Sequence, residues 1–205
     1  MRRALFILAA LLTAGIAHAD DLAVSVRDRA GAPVVNAVAT FRPAAGVAAG
    51  SPRFDWPMRM SQRGVAFDPH VLIVPVGAEV SFPNFDNVRH HVYSFSAGNR
   101  FELRLFSRDE TRSYRFTAPG VAAIGCNIHD KMSAFIVVVD TPYAAKTGPD
   151  GRLLLRGASG AGVLTIWHPD LRAPGNKMTR TIQANRTGAG EALVVDLRST
   201  AGAHH

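Results

Sequence analysis

Residues 121–132 read Val-Ala-Ala-Ile-Gly-Cys-Asn-Ile-His-Asp-Lys-Met, a predicted strand that runs into the only cysteine of the chain. Two further ligand-type residues, His129 and Met132, follow Cys126 at successive three-residue steps. A thiolate, an imidazole and a thioether form a soft donor set, which suits copper better than calcium or magnesium. The segment therefore indicates a metal site at the end of a β-strand, and a fourth donor must come from elsewhere in the chain.

The N-terminus indicates export, which makes the single cysteine more informative. Arg2 and Arg3 precede an apolar run over 4–12, and Ala-His-Ala at 17–19 matches a cleavage signature. We predict a signal peptide over residues 1–19 and a periplasmic mature protein, with a retained N-terminal anchor as the alternative. Cysteines of exported proteins usually occur in disulfide pairs, so one unpaired thiol beside other ligand types favours a metal ligand.

The net charge of the chain indicates which kind of molecule the protein binds. The chain has 23 basic and 16 acidic residues, and removal of Arg2 and Arg3 would lower its net charge from +7 to +5. A basic protein can bind nucleic acid, but export makes nucleic acid an unsuitable partner for this one. No later apolar run is long enough to predict a membrane span. The positive charge therefore indicates solubility and attraction of an acidic protein partner.

Strand signals recur along the chain, whereas helical periodicity is scarce. Short strands separated by Gly, Pro and Asn turns predict an all-β protein built as an antiparallel sandwich or barrel. The predicted strands are residues 22–27, 33–41, 71–76, 79–82, 90–95, 101–106, 113–116, 121–126, 134–140, 152–155, 161–167 and 191–197.

Composition divides these strands into two units. A stretch rich in Ala, Gly and Pro over 43–53 and a change of composition after Thr141-Pro142 bracket the central strands. The outer strands are too few to form two separate stable sheets. We therefore predict a central domain over 55–142, inserted in one small β-sandwich that joins 20–54 to 143–198. Residues 199–205 are predicted to be a disordered tail.

The outer strands resemble carboxypeptidase regulatory-like β domains. The resemblance lies in Val-Arg-Asp-Arg-Ala-Gly-Ala-Pro at 26–33 and in Ala-Val-Ala-Thr-Phe at 37–41. Asp-Gly-Arg-Leu-Leu-Leu-Arg-Gly at 150–157 and Gly-Val-Leu-Thr-Ile-Trp-His at 162–168 are similar to later strands of that family.

The central strands resemble the cupredoxin family over about residues 65–140. The strand Val80-Ser-Phe-Pro-Asn84 is followed six residues later by His90, and a Phe-Thr-Ala-Pro-Gly turn at 116–120 leads to the cysteine strand. The spacing of the cysteine, histidine and methionine matches the short ligand loop of amicyanin-like members. The resemblance implies a Greek-key β-sandwich with one copper ion bound by His90, Cys126, His129 and Met132. More narrowly, His-His-Val-Tyr-Ser-Phe-Ser at 90–96 with the ligand loop is similar to periplasmic plastocyanin-like proteins associated with methylamine utilisation.

Some residues keep a second interpretation. His91 is the alternative to His90, although the count from Asn84 favours His90 and the next strand position faces the opposite side. Met132 is either an axial ligand or a core side chain, because methionine often fills gaps in cores. We interpret the histidines without ligand-spaced neighbours as structural, surface or tail residues: His70, His168, His204 and His205.

These patterns predict an exported blue copper protein that transfers one electron between periplasmic redox proteins, such as a cytochrome or a dehydrogenase. An acidic partner surface would face a rim of cations at Arg89, Arg100, Arg104, Arg108 and Lys131. The alternatives are a copper chaperone or sensor, a scaffold module whose ligand residues are incidental, and an enzyme if Met132 leaves a coordination position open. The sequence contains none of the common hydrolase or nucleotide-binding motifs, and four protein ligands would close the site to substrate.

Overall fold

The computed structural model describes residues 21–47, 50, 52–184 and 190–198. The predicted signal peptide and the predicted tail, with His204 and His205, lie outside the described residues. Among the described residues, no helix has the length and apolar character needed to cross a bilayer.

The described residues confirm the all-β prediction, because their only helical element is a 3-10 turn at Pro174–Asn176. The strands are β1 (Leu22–Asp28), β2 (Val38–Pro43), β3 (Ser61–Gln62), β4 (Phe67–Asp68), β5 (Val71–Pro75), β6 (Glu79–Pro83), β7 (His90–Ser94), β8 (Phe101–Phe106), β9 (Thr111–Arg115), β10 (Gly120–Gly125), β11 (Ser133–Val139), β12 (Ala144–Lys146), β13 (Arg152–Leu155), β14 (Gly160–Trp167), β15 (Lys177–Ala184) and β16 (Glu191–Val195).

The central strands form a sandwich around an aromatic and aliphatic core. One layer is a five-stranded sheet in the order β5-β11-β10-β7-β8, in which only the β5–β11 pair is parallel. The other layer is the antiparallel β6–β9 pair, and isolated bridges at Arg59 and Gln62 add the segment around β3 to β6. Phe82, Phe106 and Phe116 are fully buried between the layers. The β6–β7 connection, which precedes His90, crosses from one layer to the other, whereas the loop after Cys126 is the hairpin between the neighbouring strands β10 and β11.

The N- and C-terminal strands pair with each other and enclose a second core. The sheet β13-β1-β16 faces the sheet β12-β2-β14-β15. In β1 the alternate residues Leu22, Val24 and Val26 point inward, as a half-buried strand requires. The domain boundaries inferred from composition stay a prediction.

A third apolar cluster joins the two sandwiches. In β11 the residues Ala134, Ile136 and Val138 face the central core, whereas Val137 and Val139 pack toward the outer strands. Strand β5 is divided in the same way between the two clusters. Both faces are therefore covered, which explains the unbroken apolar sequences of these two strands.

The strand predictions differ from the structure at several places. The short strands β3, β4 and β12 were not predicted, because two or three residues are too few to show an alternating pattern. Strand β15 was not predicted, because only Ile182 and Ala184 among its eight residues are buried and its apolar alternation is weak. The strand predicted over 33–41 begins at Val38, since Asn36 has a positive φ of 61° and breaks the extended backbone.

Trp167 should be a main contributor to the contact between the sandwiches. It is 7% exposed, and its ring lies 5.4 Å from that of Phe135 on β11. Trp167→Ala should lower the free energy of unfolding by about 3 kcal/mol, because it leaves a cavity between two packed sheets. Val163→Ala, at an exposed position of the same strand, should cost under about 1 kcal/mol. Denaturant unfolding followed by far-ultraviolet circular dichroism measures both, and equal losses would contradict the account.

Candidate metal centre

Three side chains from two chain segments converge at one end of the central sandwich. His90 begins β7, Cys126 directly follows β10, and His129 lies in the connection to β11. The Sγ of Cys126 lies 3.9 Å from Nδ1 of His90 and 3.6 Å from Nδ1 of His129. One ligand atom from each residue lies within 4.8 Å of the other two. The structure thus brings together three of the four residues predicted as ligands.

These distances fit a shared metal ion. Metal–nitrogen and metal–sulfur bonds of about 2.0 and 2.3 Å at about 120° would place a nitrogen and a sulfur about 3.7 Å apart. The free thiol of Cys126 is 4% exposed and His90 is fully buried. Two imidazoles and one thiolate in one plane form the equatorial ligand set of a blue-copper site. The group therefore has the donor set and the spacing of one copper site.

The ligand loop is closed by its own backbone. The amide of Met132 donates to the carbonyl of His129 at 2.9 Å, and the amide of Cys126 donates to the carbonyl of Met132 at 3.3 Å. Met132 is 2% exposed and belongs to the same apolar cluster as Cys126. Its role as an axial ligand stays a prediction.

A carboxylate fixes the orientation of the His90 ring. The Oδ2 atom of Asp86 lies 2.8 Å from Nε2 of His90. This contact places the ring proton on Nε2 and leaves the lone pair of Nδ1 directed toward Cys126. The arrangement is the usual carboxylate–histidine support of a metal ligand.

Asp86 is itself held in the ionised form. Burial of its carboxyl raises the pKa, but hydrogen bonds from the amides of Val65 and Gly64 and from His90 outweigh burial, so that the pKa is lowered. The amides of Gly64 and Val65 donate at 2.6 and 3.0 Å. The carboxylate therefore remains a charged acceptor for His90 at neutral pH.

Asn84 organises the loop that carries Asp86 and His90. Its side chain is fully buried, and its amide nitrogen donates to the carbonyls of Val88 at 2.8 Å and Phe106 at 3.3 Å. Its amide oxygen accepts the backbone N–H of Asp86 at 2.9 Å. One asparagine thus fixes both ends of the loop, which explains why it precedes the histidine by a defined number of residues.

His91 does not belong to the group. Its Nε2 atom lies 2.9 Å from Oε1 of Glu102 on β8, and its ring packs 5.8 Å from that of Tyr93. Its Nδ1 atom is buried and has no hydrogen-bond partner among the described residues. The ladder between β7 and β8 is irregular between His90 and Val92, so His90 and His91 are both buried although they are neighbours on a strand.

The other histidines of the described chain lie away from the group. The His70 ring packs edge-to-face on Phe135. His168 is partly buried near Asp170, and its pKa is lowered because burial, together with the charges of His70 and Arg198, outweighs the effects of Asp170 and of a bond to the backbone of Val35.

The five predicted rim cations are not equivalent. Arg108 pairs with Asp109 at 3.6 Å and bonds to the side chain of Asn87, and Arg100 lies 5.2 Å above the exposed ring of Phe95. The others, which form no ion pair within the described residues, are all exposed: Arg89, Arg104 and Lys131.

Asp86 and Glu102, the carboxylates that contact the two adjacent histidines, were not predicted from the sequence. For Asp86 a signal existed, because a carboxylate four residues before a candidate ligand can support it through a loop. Glu102 lies on a neighbouring strand, so only the pairing of β7 with β8 reveals it.

Comparison with solved structures gives partial matches, among them a copper-containing enzyme, a purple cupredoxin and several amicyanin variants. A copper-containing nitrite reductase from Thermus scotoductus SA-01 is 28% identical, over 45% of this chain and 25% of its own, with a TM-score of 0.39. A purple cupredoxin from Nitrosopumilus maritimus is 20% identical over 40% of this chain and 98% of its own, with a TM-score of 0.37. A reduced amicyanin variant is 22% identical over 49% of this chain and 98% of its own, with a TM-score of 0.38.

Neither protein-family models nor curated proteins match the sequence. The match spans only a quarter of the nitrite reductase, and the structural likeness covers about half of this chain or less. The narrower similarity to proteins of methylamine utilisation stays a prediction. The strand order of the central sandwich and the grouping of His90, Cys126 and His129 at its end make this part of the chain cupredoxin-like in fold.

Asp86→Asn tests the support of His90. The amide cannot supply the same charged acceptor, so copper affinity should fall about 10- to 100-fold. Competition with a coloured Cu(I) chelator measures this loss. Asp130→Asn makes the same change at an exposed position of the ligand loop and should leave the affinity unchanged. Equal affinities in the two variants would contradict the assigned role.

Proposed function

We propose that the protein is an exported, single-copper electron carrier that is not an enzyme. The observation that carries the proposal is the convergence of His90, Cys126 and His129 at mutual distances suited to one ion. Bound copper would supply a one-electron couple between Cu(I) and Cu(II). The predicted signal sequence supports a periplasmic location.

The residues around the group favour a site that changes little between the two oxidation states. The backbone bonds of the ligand loop hold Cys126 and His129, and the Asp86 contact holds His90. We propose Met132 as the weak axial ligand. A site held in one geometry reorganises little, which favours rapid electron exchange.

Burial argues against the runner-up function, a copper chaperone. Cys126 and His90 are almost inaccessible, whereas His129 is the one partly exposed member of the group. A partner that receives the ion must contact its ligands, but an electron needs only a short path to the surface. We therefore propose that His129 is the point at which electrons enter and leave.

The surface around His129 suits a transient partner. Exposed apolar side chains occur on both ligand-bearing loops: Phe85, Val88 and Ile128. Arg89 and Lys131 add positive charge next to two of the ligands in sequence. Short-lived redox complexes bury little surface and use charge to raise the encounter rate. We propose a periplasmic cytochrome or dehydrogenase with an acidic docking surface as the partner.

The electron-carrier proposal is tested by the visible spectrum of the copper-loaded protein. Cys126→Ser should abolish an intense band from thiolate-to-Cu(II) charge transfer that the parent protein shows, because the hydroxyl is a poor copper ligand. Ser133→Ala, an exposed change at the start of β11, serves as the control and should keep the band. A colourless parent protein that holds one copper ion would contradict the proposal and favour a chaperone.

The docking proposal is tested by reversing charge. The double variant Arg89→Glu and Lys131→Glu should slow electron exchange with an acidic partner and reverse the effect of added salt, while the visible spectrum stays unchanged. Stopped-flow mixing at several salt concentrations gives the rates. The control for total charge is the double variant Arg152→Glu and Lys177→Glu, which changes two exposed residues of the outer strands. Equal slowing in the two double variants would contradict a local docking role.

A further inference from the structure

A cleft of about 390 Å³ lies where the two sandwiches meet, in a part of the molecule that the copper site does not use. Strand β5 forms one wall, and β12 with the hairpin of β3 and β4 forms another. The side chain of Trp56 closes one side. Small-molecule sites occur preferentially at such junctions between structural units.

The cleft follows the open edge of the five-stranded sheet. Strand β5 is the last strand of that sheet, and two side chains bond to its edge carbonyls. The indole of Trp56 donates to the carbonyl of Ile73 at 2.7 Å, and the ammonium of Lys146 donates to the carbonyl of Val71 at 2.7 Å.

Lys146 is the polar group best placed to bind a ligand. It is half-buried, and burial lowers its pKa, an effect that the charge of Asp68 partly offsets. An ammonium has three N–H donors, and the carbonyl of Val71 uses one. No ion pair within 4.0 Å joins Lys146 to a carboxylate of the described chain. Two donors therefore remain for a ligand that would restore a favourable environment for the charge.

The other lining residues set the preferred ligand charge. Arg59 and Lys146 contribute two positive charges and Asp68 contributes one negative charge, so the lining carries a net charge of +1. Ser61 is a further polar residue of the lining. These groups favour a monoanion that can also accept hydrogen bonds.

The apolar lining indicates the rest of the ligand. The Trp56 ring is fixed by its hydrogen bond and by stacking on Phe54, with centroids 4.6 Å apart and an angle of 14° between the rings. Val71, Leu72 and Ile73 line the adjoining wall. A rigid aromatic side chain and an aliphatic wall suit a flat or short apolar group, because little ordering is needed on binding.

We propose that this cleft binds a small organic carboxylate with an apolar body. The carboxylate lies on the ammonium of Lys146, and the body packs against Trp56 and the apolar wall formed by β5. The copper site takes no part in this binding, so the proposal is independent of the electron-carrier function.

Calorimetric titration of the purified protein with benzoate, benzamide and benzylamine tests the proposal. The three probes share a phenyl ring and differ in charge. Benzoate should bind at least about tenfold more tightly than benzamide, as expected for a charge-assisted hydrogen bond. Benzylamine should not bind. Equal affinity for benzoate and benzamide, preference for benzylamine, or no heat from benzoate at millimolar concentration would each overturn the proposal.

A pair of lysine variants locates the binding. Lys146→Met should reduce the affinity for benzoate to that for benzamide and leave the affinity for benzamide unchanged. Lys177→Met, an exposed lysine on β15, should change neither. Circular dichroism checks that both variants fold. If Lys146→Met does not fold, the relative affinities of the parent protein for the three probes decide whether the cleft prefers a carboxylate. Undiminished benzoate binding by folded Lys146→Met would overturn the proposal.

Discussion

The candidate site depends on the backbone hydrogen bonds that close the loop between β10 and β11. These bonds join Cys126 to Met132 and Met132 to His129, so the thiol and one imidazole are set by a single tight turn. The other imidazole comes from β7, which pairs with β10 at Tyr93 and Gly125. A Cβ at Gly125 would approach the Tyr93 ring to within 2.8 Å, so glycine permits the strand contact directly before Cys126. Local turn geometry and one close strand contact together define the ligand distances.

The same sheet connects the metal end to the rest of the molecule. Strand β11 leaves the ligand loop and then packs on both faces, against the central core and against the outer strands. Such a strand cannot shift toward one core without leaving space in the other, which resists small displacements. The outer sandwich therefore stabilises the support of the site, although it contributes none of the three grouped side chains. The outer sandwich also contributes β12 to the lining of the cleft along the open edge of β5.

Local patterns could predict the grouping of His90, Cys126 and His129 because short-range constraints position these side chains. The step from Asn84 to His90 is set by hydrogen bonds within one loop, and the spacing after Cys126 is set by one turn. Features made by distant residues could not be predicted in the same way. Glu102 contacts His91 through strand pairing, and Lys146 contacts Val71 across two sandwiches. Strand β15 was missed because an exposed edge strand needs few apolar residues, and its backbone pairing with β14 does not appear in the sequence pattern.

The central claim is that one copper ion binds to Cys126, His90 and His129 together. X-ray absorption at the copper edge of the oxidised, copper-loaded protein tests it most directly, because the scattering reports the atoms around the metal. We expect one short copper–sulfur distance and two copper–nitrogen distances with the outer scattering of imidazole rings. One imidazole contribution should disappear in His90→Ala. A copper environment of nitrogen and oxygen without sulfur, or one that His90→Ala leaves unchanged, would contradict the account.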